Sequence, residues 1–236
     1  MAAEKLYIII PAYNEEANIE AVAREWHTVV QGKGESSKLV IINDGSKDAT
    51  YEKLLKLTEE LPQLEVLDKE NSGHGATLLY GYHYALKCGA DYIFQTDSDG
   101  QTLPEEFDAF WDKRGEYDVL IGYRKQRQDG IARVFVSKVL KFVLKLIFGV
   151  NVTDANTPFR LMKRAILEKY IGSVPKDFNL SNVMLTVLFV KYNEKVKFMP
   201  ITFRPRQGGV NSINLLKISK IGLQAVKDFR VIKKSI

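Results

Sequence analysis

The stretch LYIIIPAYNEE, residues 6–16, decides the interpretation of the fold. Its first five residues form a continuous apolar run rich in β-branched side chains, and the run stops at Pro11. Short apolar runs bounded by turn residues are typical of strands that are buried in a parallel sheet. Polar residues follow at once, so we expect a ligand-binding loop directly after this strand.

The same pattern recurs through the first half of the chain. Further apolar runs predict four more strands, at 39–42, 64–67, 92–94 and 119–121. Between the runs lie stretches of helical length and spacing, at 15–30, 47–60, 74–87 and 104–113. Alternating strands and helices predict an α/β fold with a mostly parallel central sheet flanked by helices.

The second half of the chain is dominated by helical patterns. It predicts two inner helices, a late strand and a C-terminal amphipathic helix, at 131–148, 179–191, 195–203 and 214–231. In the 131–148 helix, Lys138, Lys141 and Lys145 share one face. We expect the apolar residues to lie mostly on the other side, namely Val139, Phe142, Val143, Leu146 and Ile147. No linker or repeat interrupts the chain, which predicts a single domain over 1–236.

Composition excludes several classes of protein. The 236 residues are 45% hydrophobic and 27% charged, which argues against a disordered chain, a collagen-like chain or a coiled coil. The single cysteine, Cys88, excludes an intrachain disulfide and a multi-cysteine metal site, and it indicates a reducing compartment. We expect no signal peptide at the N-terminus and no helix that crosses a bilayer, because no long uncharged apolar window occurs.

Positive charge is concentrated in two segments. The net charge of the chain is +5, yet residues 123–145 alone carry +6 and residues 217–236 carry +5, so the remainder is acidic. This distribution predicts a localised anionic partner such as phosphate groups or a membrane surface. We expect no nucleic-acid partner, because the cations are not interleaved with aromatic residues and no recognition module is present.

Polar residues gather where ligands bind in open α/β sheets, beyond the carboxyl ends of the strands. Five such loops are expected, at 11–15, 44–46, 71–75, 97–101 and 122–124. The most informative contains Asp97 and Asp99 directly after a buried strand. Two neighbouring carboxylates repel each other unless a cation lies between them, and Mg²⁺ or Mn²⁺ prefers carboxylates together with phosphate oxygens. Gln101 adds a neutral oxygen ligand to this predicted site.

Two other loops leave alternatives open. Asp44, in the turn sequence NDGS, either closes an Asx turn or accepts hydrogen bonds from a nucleobase or a ribose. The sequence NSGHG at 71–75 brings backbone N–H groups to the start of a helix, where a phosphate could bind. It does not continue as the dinucleotide fingerprint, because Leu78 stands where a glycine is required.

Six motifs in fixed order resemble the family 2 inverting glycosyltransferases, and most closely their polyprenyl-phosphate branch, which includes dolichyl-phosphate mannose synthases. They cover about 8–214, and they are PAYNE at 11–15, NDGS at 43–46, NSGHGA at 71–76, DSDGQ at 97–101, DANTPFR at 154–160 and RQGG at 206–209. The resemblance implies a Rossmann-like GT-A fold, with a nucleotide-sugar-binding half at about 1–123 and an acceptor-binding half at about 124–236. It also implies a divalent cation, Mg²⁺ or Mn²⁺, as cofactor.

The resemblance further implies roles for individual residues. Those that hold the nucleotide sugar are Pro11, Tyr13, Glu15, Asp44, Gly73, Asp97 and Ser98. The metal ligands are Asp97, Asp99 and Gln101. Those that hold an acceptor phosphate are Arg124, Arg133, Ser137 and Arg206. The residues expected to carry catalysis are Asp97, Asp99, Arg124, Arg133 and Asp154.

One departure from the family bears on the acceptor. An acidic residue often found near the start of the 179–191 helix is absent, and Asp177 is the nearest carboxylate. Transfer to a sugar hydroxyl needs a general base. A phosphate monoester is already anionic and needs only alignment and positive charge. We therefore expect metal-dependent inverting transfer from a UDP- or GDP-sugar to a polyprenyl-phosphate-type lipid.

The lipid acceptor predicts a cytoplasmic protein bound peripherally to the anionic inner face of a membrane. Since many relatives carry membrane helices, a separate membrane-protein partner would also fit. One alternative is transfer to a saccharide hydroxyl in polysaccharide synthesis, with Asp177 or Asp154 as the base. A second is a non-catalytic module that binds nucleotide sugars. The sugar, the nucleobase, the metal and the oligomeric state stay open.

Overall fold

The computed structural model describes residues 4–124, 130–205, 224, 228–230 and 232–233, without the side chains of 130–136. Within these ranges the strands are β1 Leu6–Ala12, β2 Lys38–Asp44, β3 Leu64–Lys69, β4 Tyr92–Gln95, β5 Val119–Arg124, β6 Arg160–Lys163 and β7 Val196–Ile201. The helices are α1 Ile19–Gln31, α2 Thr50–Glu60, α3 His74–Lys87, α4 Phe107–Trp111, α5 Gly130–Phe148, α6 Arg164–Ile171 and α7 Ser181–Lys191.

The strands form one seven-stranded sheet in the order β3-β2-β1-β4-β6-β5-β7. All neighbouring strands are parallel except β6, which runs antiparallel to both β4 and β5. The prediction of a mostly parallel sheet flanked by helices is confirmed. Neither β6 nor α6 was predicted, because a four-residue strand and an eight-residue helix leave little periodic signal.

The reversed direction of β6 determines which loops meet. Its first residue, Arg160, pairs with Gln95 of β4 and with Ile121 of β5. The loop before β6 therefore lies at the carboxyl ends of β4 and β5. Strand β7 is parallel to β5 and ends at the same edge, at Ile201. Loops from both halves of the chain thus converge on one edge of the sheet.

Strand β1 continues two residues beyond its predicted end and includes a proline. Pro11 still pairs with Ile42 of β2, whereas the pairing of β1 with β4 stops at Ile9. The carbonyl of Pro11 accepts a hydrogen bond from Ser98 Oγ at 2.8 Å, on the side where β4 has already ended. Because N and C=O of one strand residue face the same neighbour, no ladder hydrogen bond is lost by the proline.

Two apolar clusters cover the two faces of the sheet. On one face, α1, α2 and α4 pack on Ile8 and Ile10, around the fully buried rings of Trp26 and Phe94. On the other face, α3, α6, α7 and the inner side of α5 pack on Ile9 and Val40. Burial on both faces explains why the central strands are continuous apolar runs.

Several helices begin later than predicted, among them α2 at Thr50 rather than 47 and α7 at Ser181 rather than 179. Helix α1 begins at Ile19 rather than near 15, because the carbonyl of Glu15 accepts the N–H groups of Asn18 and Ile19 in a tight turn. The stretch predicted as a helix over 104–113 begins as a 3₁₀ turn at Pro104–Glu106 and becomes α-helical only at α4. Because α1 and α4 begin late, the residues before them are loop residues at the carboxyl edge of the sheet.

Helix α5 forms where it was predicted, but its orientation corrects the expected distribution of apolar residues. Leu144, Ile147 and Phe148 are buried. Three residues that we expected on the covered side are exposed instead, with fractions of 43%, 66% and 73% for Val139, Phe142 and Leu146. Apolar residues occur on almost every side of this helix. The contact with α7, which no periodicity reveals, therefore decides which side is buried.

Most of the predicted C-terminal helix over 214–231 lies outside the described residues. The described residues nearest the C-terminus, at 224, 228–230 and 232–233, are helical. Phe229 is fully buried and packs edge-on against Phe148 and Phe178, with ring centroids 5.7 and 5.9 Å apart. Within the part of the chain that the structure describes, no helix has the length and apolar character needed to cross a membrane.

Candidate active site

The loops after β1 and β2 are joined by hydrogen bonds. Asn14 adopts a left-handed backbone conformation with φ of 55°, and its N–H donates to Ser46 Oγ at 3.0 Å. The Asn14 side-chain oxygen accepts the N–H of Lys47 at 2.8 Å. Glu15 is buried, and its N–H donates to Thr50 Oγ1 at 2.8 Å. These contacts fix the loop and leave the ring of Tyr13 partly exposed at the carboxyl edge.

Asp44 is buried at the end of β2, and its carboxylate binds the chain itself. It accepts the N–H of Ser72 at 2.9 Å and that of Gly73 at 3.0 Å, and it forms an ion pair with Lys69. Lys69 also donates to Ser72 Oγ at 2.6 Å. Asp44 thereby holds the 71–73 loop in place, and its binding of nucleotide stays a prediction.

The surroundings of Asp44 favour its charged form. Burial tends to raise the pKa of this carboxyl, but the hydrogen bond and charge of Lys69 and the N–H of Ser72 outweigh that effect. The pKa of Asp44 is therefore lowered. Asp44 is therefore a buried carboxylate that is paired with Lys69 and holds the N–H groups of the 71–73 loop.

Two glycines allow the start of α3 to pack closely against the loop before α7. Gly73 has φ of +87°, which favours glycine. A Cβ at Gly75 would lie 2.3 Å from the carbonyl oxygen of Phe178 and 2.6 Å from that of Asn179, so a side chain does not fit there. The first turn of α3 thus lies between Asp44, which accepts the N–H of Gly73, and the loop before α7.

Asp97 lies two residues beyond β4 and is held by two donors. His74 Nε2 lies 3.0 Å from Asp97 Oδ1, and Gln95 Nε2 donates to the same oxygen at 3.4 Å. The Asp97 side chain is 27% exposed, so its carboxylate is accessible from the edge of the sheet. Ser98 turns inward and donates to Pro11, which joins this loop to the end of β1.

His74 carries a raised pKa in this cluster. Desolvation tends to lower the pKa of the imidazole, but the charges of Asp97, Asp99 and Asp44 and the hydrogen bond to Asp97 outweigh it. The raised pKa shifts the imidazole towards its cationic form, next to the Asp97 carboxylate.

Asp99 and Gln101 belong to a turn that Arg204 joins to the late loop. Asp99 Oδ1 accepts the N–H of Gln101 at 3.1 Å, and Gly100 has φ of 69°. Gln101 Nε2 donates to the carbonyl of Arg204 at 3.1 Å, while Arg204 donates to the carbonyl of Gly100 and to Glu25. Arg204 was not predicted as a site residue, because only the fold brings it next to this turn.

Arg124, the last residue of β5, faces Asp154. Arg124 Nε lies 3.6 Å from Asp154 Oδ2, and both side chains are largely buried. The guanidinium lies over the ring of Phe203, 4.7 Å from its centroid. Asp154 also accepts the N–H of Asn156 at 3.3 Å. Two of the residues that were predicted to carry catalysis therefore lie together.

A fully buried cation, Arg160, supports the loop that carries Asp154. It donates to the carbonyls of Thr157, Ala155 and Asn182 and to Thr186 Oγ1, at 2.9–3.3 Å. Burial lowers the pKa of this guanidinium, against the opposing charges of Asp154 and Asp97. In the sequence, Arg160 appeared only as the last residue of the DANTPFR motif. Its buried position next to the loop that carries Asp154 was not predicted.

Some predicted site residues are not tested by the structure. Arg206 lies outside the described residues, as does the side chain of Arg133 on α5. Ser137 is half-buried on the same helix. Asp177 is exposed in the loop before α7. The assigned roles of these residues remain predictions.

The carboxylates after β4 fit a cation that is bound together with its substrate. Across the described residues no three His, Cys, Asp or Glu side chains form a preformed metal site. Asp97 and Asp99 are only partly buried and lie two residues apart at the open edge. Mg²⁺ is usually bound by one or two carboxylates with substrate phosphates and water, and not by an all-protein cage. The donor set therefore suits Mg²⁺ or Mn²⁺ that enters with a diphosphate.

Comparison with known proteins identifies relatives of the chain. Residues 7–171 match the family model "Glycosyl transferase family 2". The undecaprenyl-phosphate 4-deoxy-4-formamido-L-arabinose transferases of Salmonella paratyphi B and Salmonella newport are each 27% identical over 168 residues, which is 70% of this chain. The aligned region is 50% of those proteins, so the chain spans about half the length of the curated relatives that it matches.

Solved structures share the fold. Glucosyl-3-phosphoglycerate synthase from Mycobacterium tuberculosis, in complex with Mn²⁺ and UDP-glucose, matches with a TM-score of 0.72 at 17% identity, over 99% of this chain and 80% of that one. Its complex with phosphoglyceric acid also has a TM-score of 0.72, at 18% identity over 99% and 81% of the two chains. The likeness confirms the GT-A fold predicted from the sequence.

Proposed function

Because the chain belongs to glycosyl transferase family 2, we propose that it transfers a sugar from a nucleotide diphosphate sugar to a lipid phosphate, with inversion and with the help of Mg²⁺ or Mn²⁺. The observation that carries the proposal is the position of Asp97 and Asp99 relative to Arg124. Strands β4 and β5 are separated only by β6. Neighbouring strands lie about 4.8 Å apart, so the points where the chain leaves β4 and β5 are about 10 Å apart on one edge of the sheet.

The donor is proposed to bind over β1, β2 and β4. Tyr13 is exposed there, and the N-terminus of α3 begins there at His74. A metal ion held by Asp97 and Asp99 would stabilise the charge of the departing diphosphate. The structurally similar mycobacterial synthase was solved with Mn²⁺ and UDP-glucose, which favours a UDP-linked donor for this chain.

The acceptor is proposed to bind beyond β5. Arg124 is already oriented by Asp154 and Phe203, so it would lose little conformational freedom on binding a phosphate. Asp154 serves this arginine and is therefore a poor candidate for a general base. A phosphate acceptor is already ionised, and its oxygen can attack the anomeric carbon on the face opposite the diphosphate. The relatives named for undecaprenyl phosphate support this class of acceptor.

Helix α5 would bring the protein to the membrane that carries the acceptor. Phe142 is at the centre of its exposed face, with Val139 and Leu146 on one side and Lys138 and Lys145 on the other. Interfacial helices combine apolar side chains, which enter the acyl boundary, with lysines that reach the headgroups. Each basic residue near an anionic surface contributes about 1 kcal/mol. Reversible attachment to an anionic leaflet is the expected result.

The test is an acceptor competition. The protein is incubated with UDP- and GDP-sugars and Mn²⁺ or Mg²⁺, together with polyprenyl phosphate in vesicles or with a panel of saccharides. We expect a glycolipid product that requires the metal and the phosphate. Product only with saccharides would contradict the lipid acceptor. Absence of any transfer, together with metal-dependent binding of the nucleotide sugar, would favour a binding module.

A further inference from the structure

A chain of buried polar side chains lies directly beneath Asp97. The Tyr82 hydroxyl on α3 lies 3.2 Å from Gln95 Oε1 and 3.3 Å from Asn182 Oδ1. Gln95 Nε2 then donates to Asp97 Oδ1 at 3.4 Å. Tyr82 and Gln95 are completely buried, and Asn182 is 2% exposed. A polar network placed so deep in an apolar core is costly unless each group is satisfied, so its geometry is strongly constrained.

The network determines which end of the Gln95 amide meets the carboxylate. A glutamine amide can rotate and present either its oxygen or its nitrogen. The phenol has one hydrogen for the two amide oxygens that it faces, and when it donates to Gln95 Oε1, the Gln95 NH₂ group faces Asp97. Burial raises the pKa of Tyr82 far above neutrality, so the phenol keeps its hydrogen. If the hydroxyl were absent, the amide could turn and place its oxygen against the carboxylate, and two acceptors would repel each other.

The two donors on Asp97 act on the same oxygen. Both His74 and Gln95 lie on Oδ1. Within the described residues, Oδ2 of Asp97 accepts no hydrogen bond. A carboxylate held in this way has one oxygen committed to the protein and the other open at the edge of the sheet. Fixing a ligating carboxylate through its second oxygen is a common way to tune a metal site.

We propose that Gln95, oriented by Tyr82, is a positioning residue that fixes the Asp97 carboxylate so that Oδ2 faces the cation and diphosphate of the donor. The inference rests on the proposed function, since it concerns how the same site is built. It assigns a role to two core residues that have no contact with substrate. It also explains why a polar glutamine ends β4, a strand whose other residues are apolar or aromatic.

The experiment compares two tyrosines of one helix. Tyr82→Phe removes the hydroxyl that contacts Gln95, and Tyr84→Phe removes a hydroxyl that donates to Glu65 at 2.8 Å. The affinity for Mn²⁺ in the presence of UDP is measured by calorimetry, and the melting temperature is measured without metal. We expect Tyr82→Phe to weaken Mn²⁺ binding by about three- to tenfold and Tyr84→Phe to leave it unchanged. The melting temperatures of the two variants should be similar.

A second variant tests whether the Tyr82 hydroxyl acts through the Gln95 amide. Gln95→Leu should weaken Mn²⁺ binding by about tenfold or more, the usual range for a partner of a metal ligand. If the hydroxyl acts only through the amide, Tyr82→Phe should add little to Gln95→Leu, so the two effects should be strongly non-additive. Unchanged Mn²⁺ affinity in both single variants, or fully additive losses, would overturn the inference.

The same data separate this inference from the proposed function. If the wild-type protein binds Mn²⁺ in the presence of UDP and the variants bind it equally well, the positioning role is wrong and the proposed transferase stands. If the wild-type protein binds no Mn²⁺ with either UDP or GDP, both proposals are wrong. Stability measured without metal distinguishes a misfolded core from a misdirected carboxylate.

Discussion

The donor-side loops (13–16, 44–48, 71–75 and 97–101) and the acceptor-side surface (Arg124 with the exposed face of α5) are built in different ways. On the donor side, Asp44 and Asp97 are each held by two or more donors from the chain itself. Among the described residues of the acceptor side, Arg124 lies 3.6 Å from the Asp154 carboxylate, and α5, the next helix along the chain, exposes Phe142 and Leu146.

The difference corresponds to the two ligands that we propose. A nucleotide diphosphate sugar is small and polar, so it is best recognised by groups that are fixed before it binds. A lipid phosphate lies in a surface with an anionic layer above an apolar layer, and it needs a cation beside an exposed apolar patch.

The largest expected effect is on the donor side, in Asp99→Asn. The amide oxygen can still accept the N–H of Gln101, so the turn should form, but the charge that holds the cation is lost. We expect turnover dependent on Mn²⁺ to fall by about 100-fold or more. Steady-state rates over a range of Mn²⁺ concentrations provide the measurement.

Asp112→Asn is the matched control, because Asp112 is an exposed aspartate at the C-terminal end of α4, outside the 97–101 loop. It should retain full activity. If Asp99→Asn kept its rate and its Mn²⁺ dependence, the donor side would not be a metal site. The donor-side loops would then no longer differ from the acceptor side by binding a cation.

Arg124→Gln should separate the two sides. Removal of the guanidinium should lower kcat/KM for lipid phosphate by about 30- to 100-fold, because the charge-assisted hydrogen bonds to phosphate are lost. Slow hydrolysis of the donor, which needs only the donor-side loops, should persist. Both rates are measured on the same preparation, with release of nucleoside diphosphate as the readout for hydrolysis.

Asp177→Asn serves as the companion to this variant. Asp177 is exposed before α7 and is the nearest alternative base. Transfer to phosphate should change less than about twofold, whereas transfer to a saccharide hydroxyl would be abolished. Loss of lipid transfer in Asp177→Asn would contradict the view that the acceptor needs no base.

The sequence predicted the two sides unequally. The succession of strands along the chain and the polar loops of the donor side follow from local patterns, since apolar runs and turn residues are adjacent in the chain. The partners of Asp44 and Asp97 did not follow, because Lys69 and Gln95 look like ordinary strand ends until the strands are aligned. Arg204, more than a hundred residues from Gly100, could not be assigned to the site without the fold.

On the acceptor side, local patterns were less informative. Strand β6 is short and antiparallel, and nothing in its four residues reveals its direction. Helix α5 is apolar nearly all round, so its period identifies a helix but not the face that is covered. The side of α5 that is buried depends on its contact with α7, a helix about forty residues later in the chain.

A smaller effect should appear in stability when Asp44→Asn removes the ion pair with Lys69. The loss should be about 2 kcal/mol at pH 7, which is typical for a buried hydrogen bond to a charged group. The folded pKa of Asp44 is lowered, so its contribution is complete above the ordinary aspartate pKa of about 3.9 and disappears as the pH falls through the lower folded value.

Urea unfolding of the wild type and of Asp44→Asn at pH 7 and near pH 3 provides the measurement. The difference in unfolding free energy should shrink at the lower pH. A difference that is equal at both values would mean that Asp44 is not held as a carboxylate. The donor-side loops would then be no better fixed than the acceptor-side surface.

The smallest effect is expected on the exposed face of α5. Phe142→Ser combined with Leu146→Ser should weaken binding to vesicles that contain anionic lipid by about tenfold, since full burial of one such side chain contributes about 1.5–3 kcal/mol and insertion at an interface is partial. Both side chains are mostly exposed, so the melting temperature should not change. Cosedimentation with vesicles provides the measurement.

Leu55→Ser is the control, because Leu55 is 45% exposed on α2, on the opposite face of the sheet. A second pair, Lys138→Ser with Lys145→Ser, should also weaken binding, but this loss should disappear at high salt, whereas the loss from the apolar pair should persist. If the apolar pair and Leu55→Ser bound vesicles equally well, the exposed stripe of α5 would not meet the bilayer. Arg124 would then have to draw its acceptor from solution, and the two sides of the site would recognise their ligands in the same way.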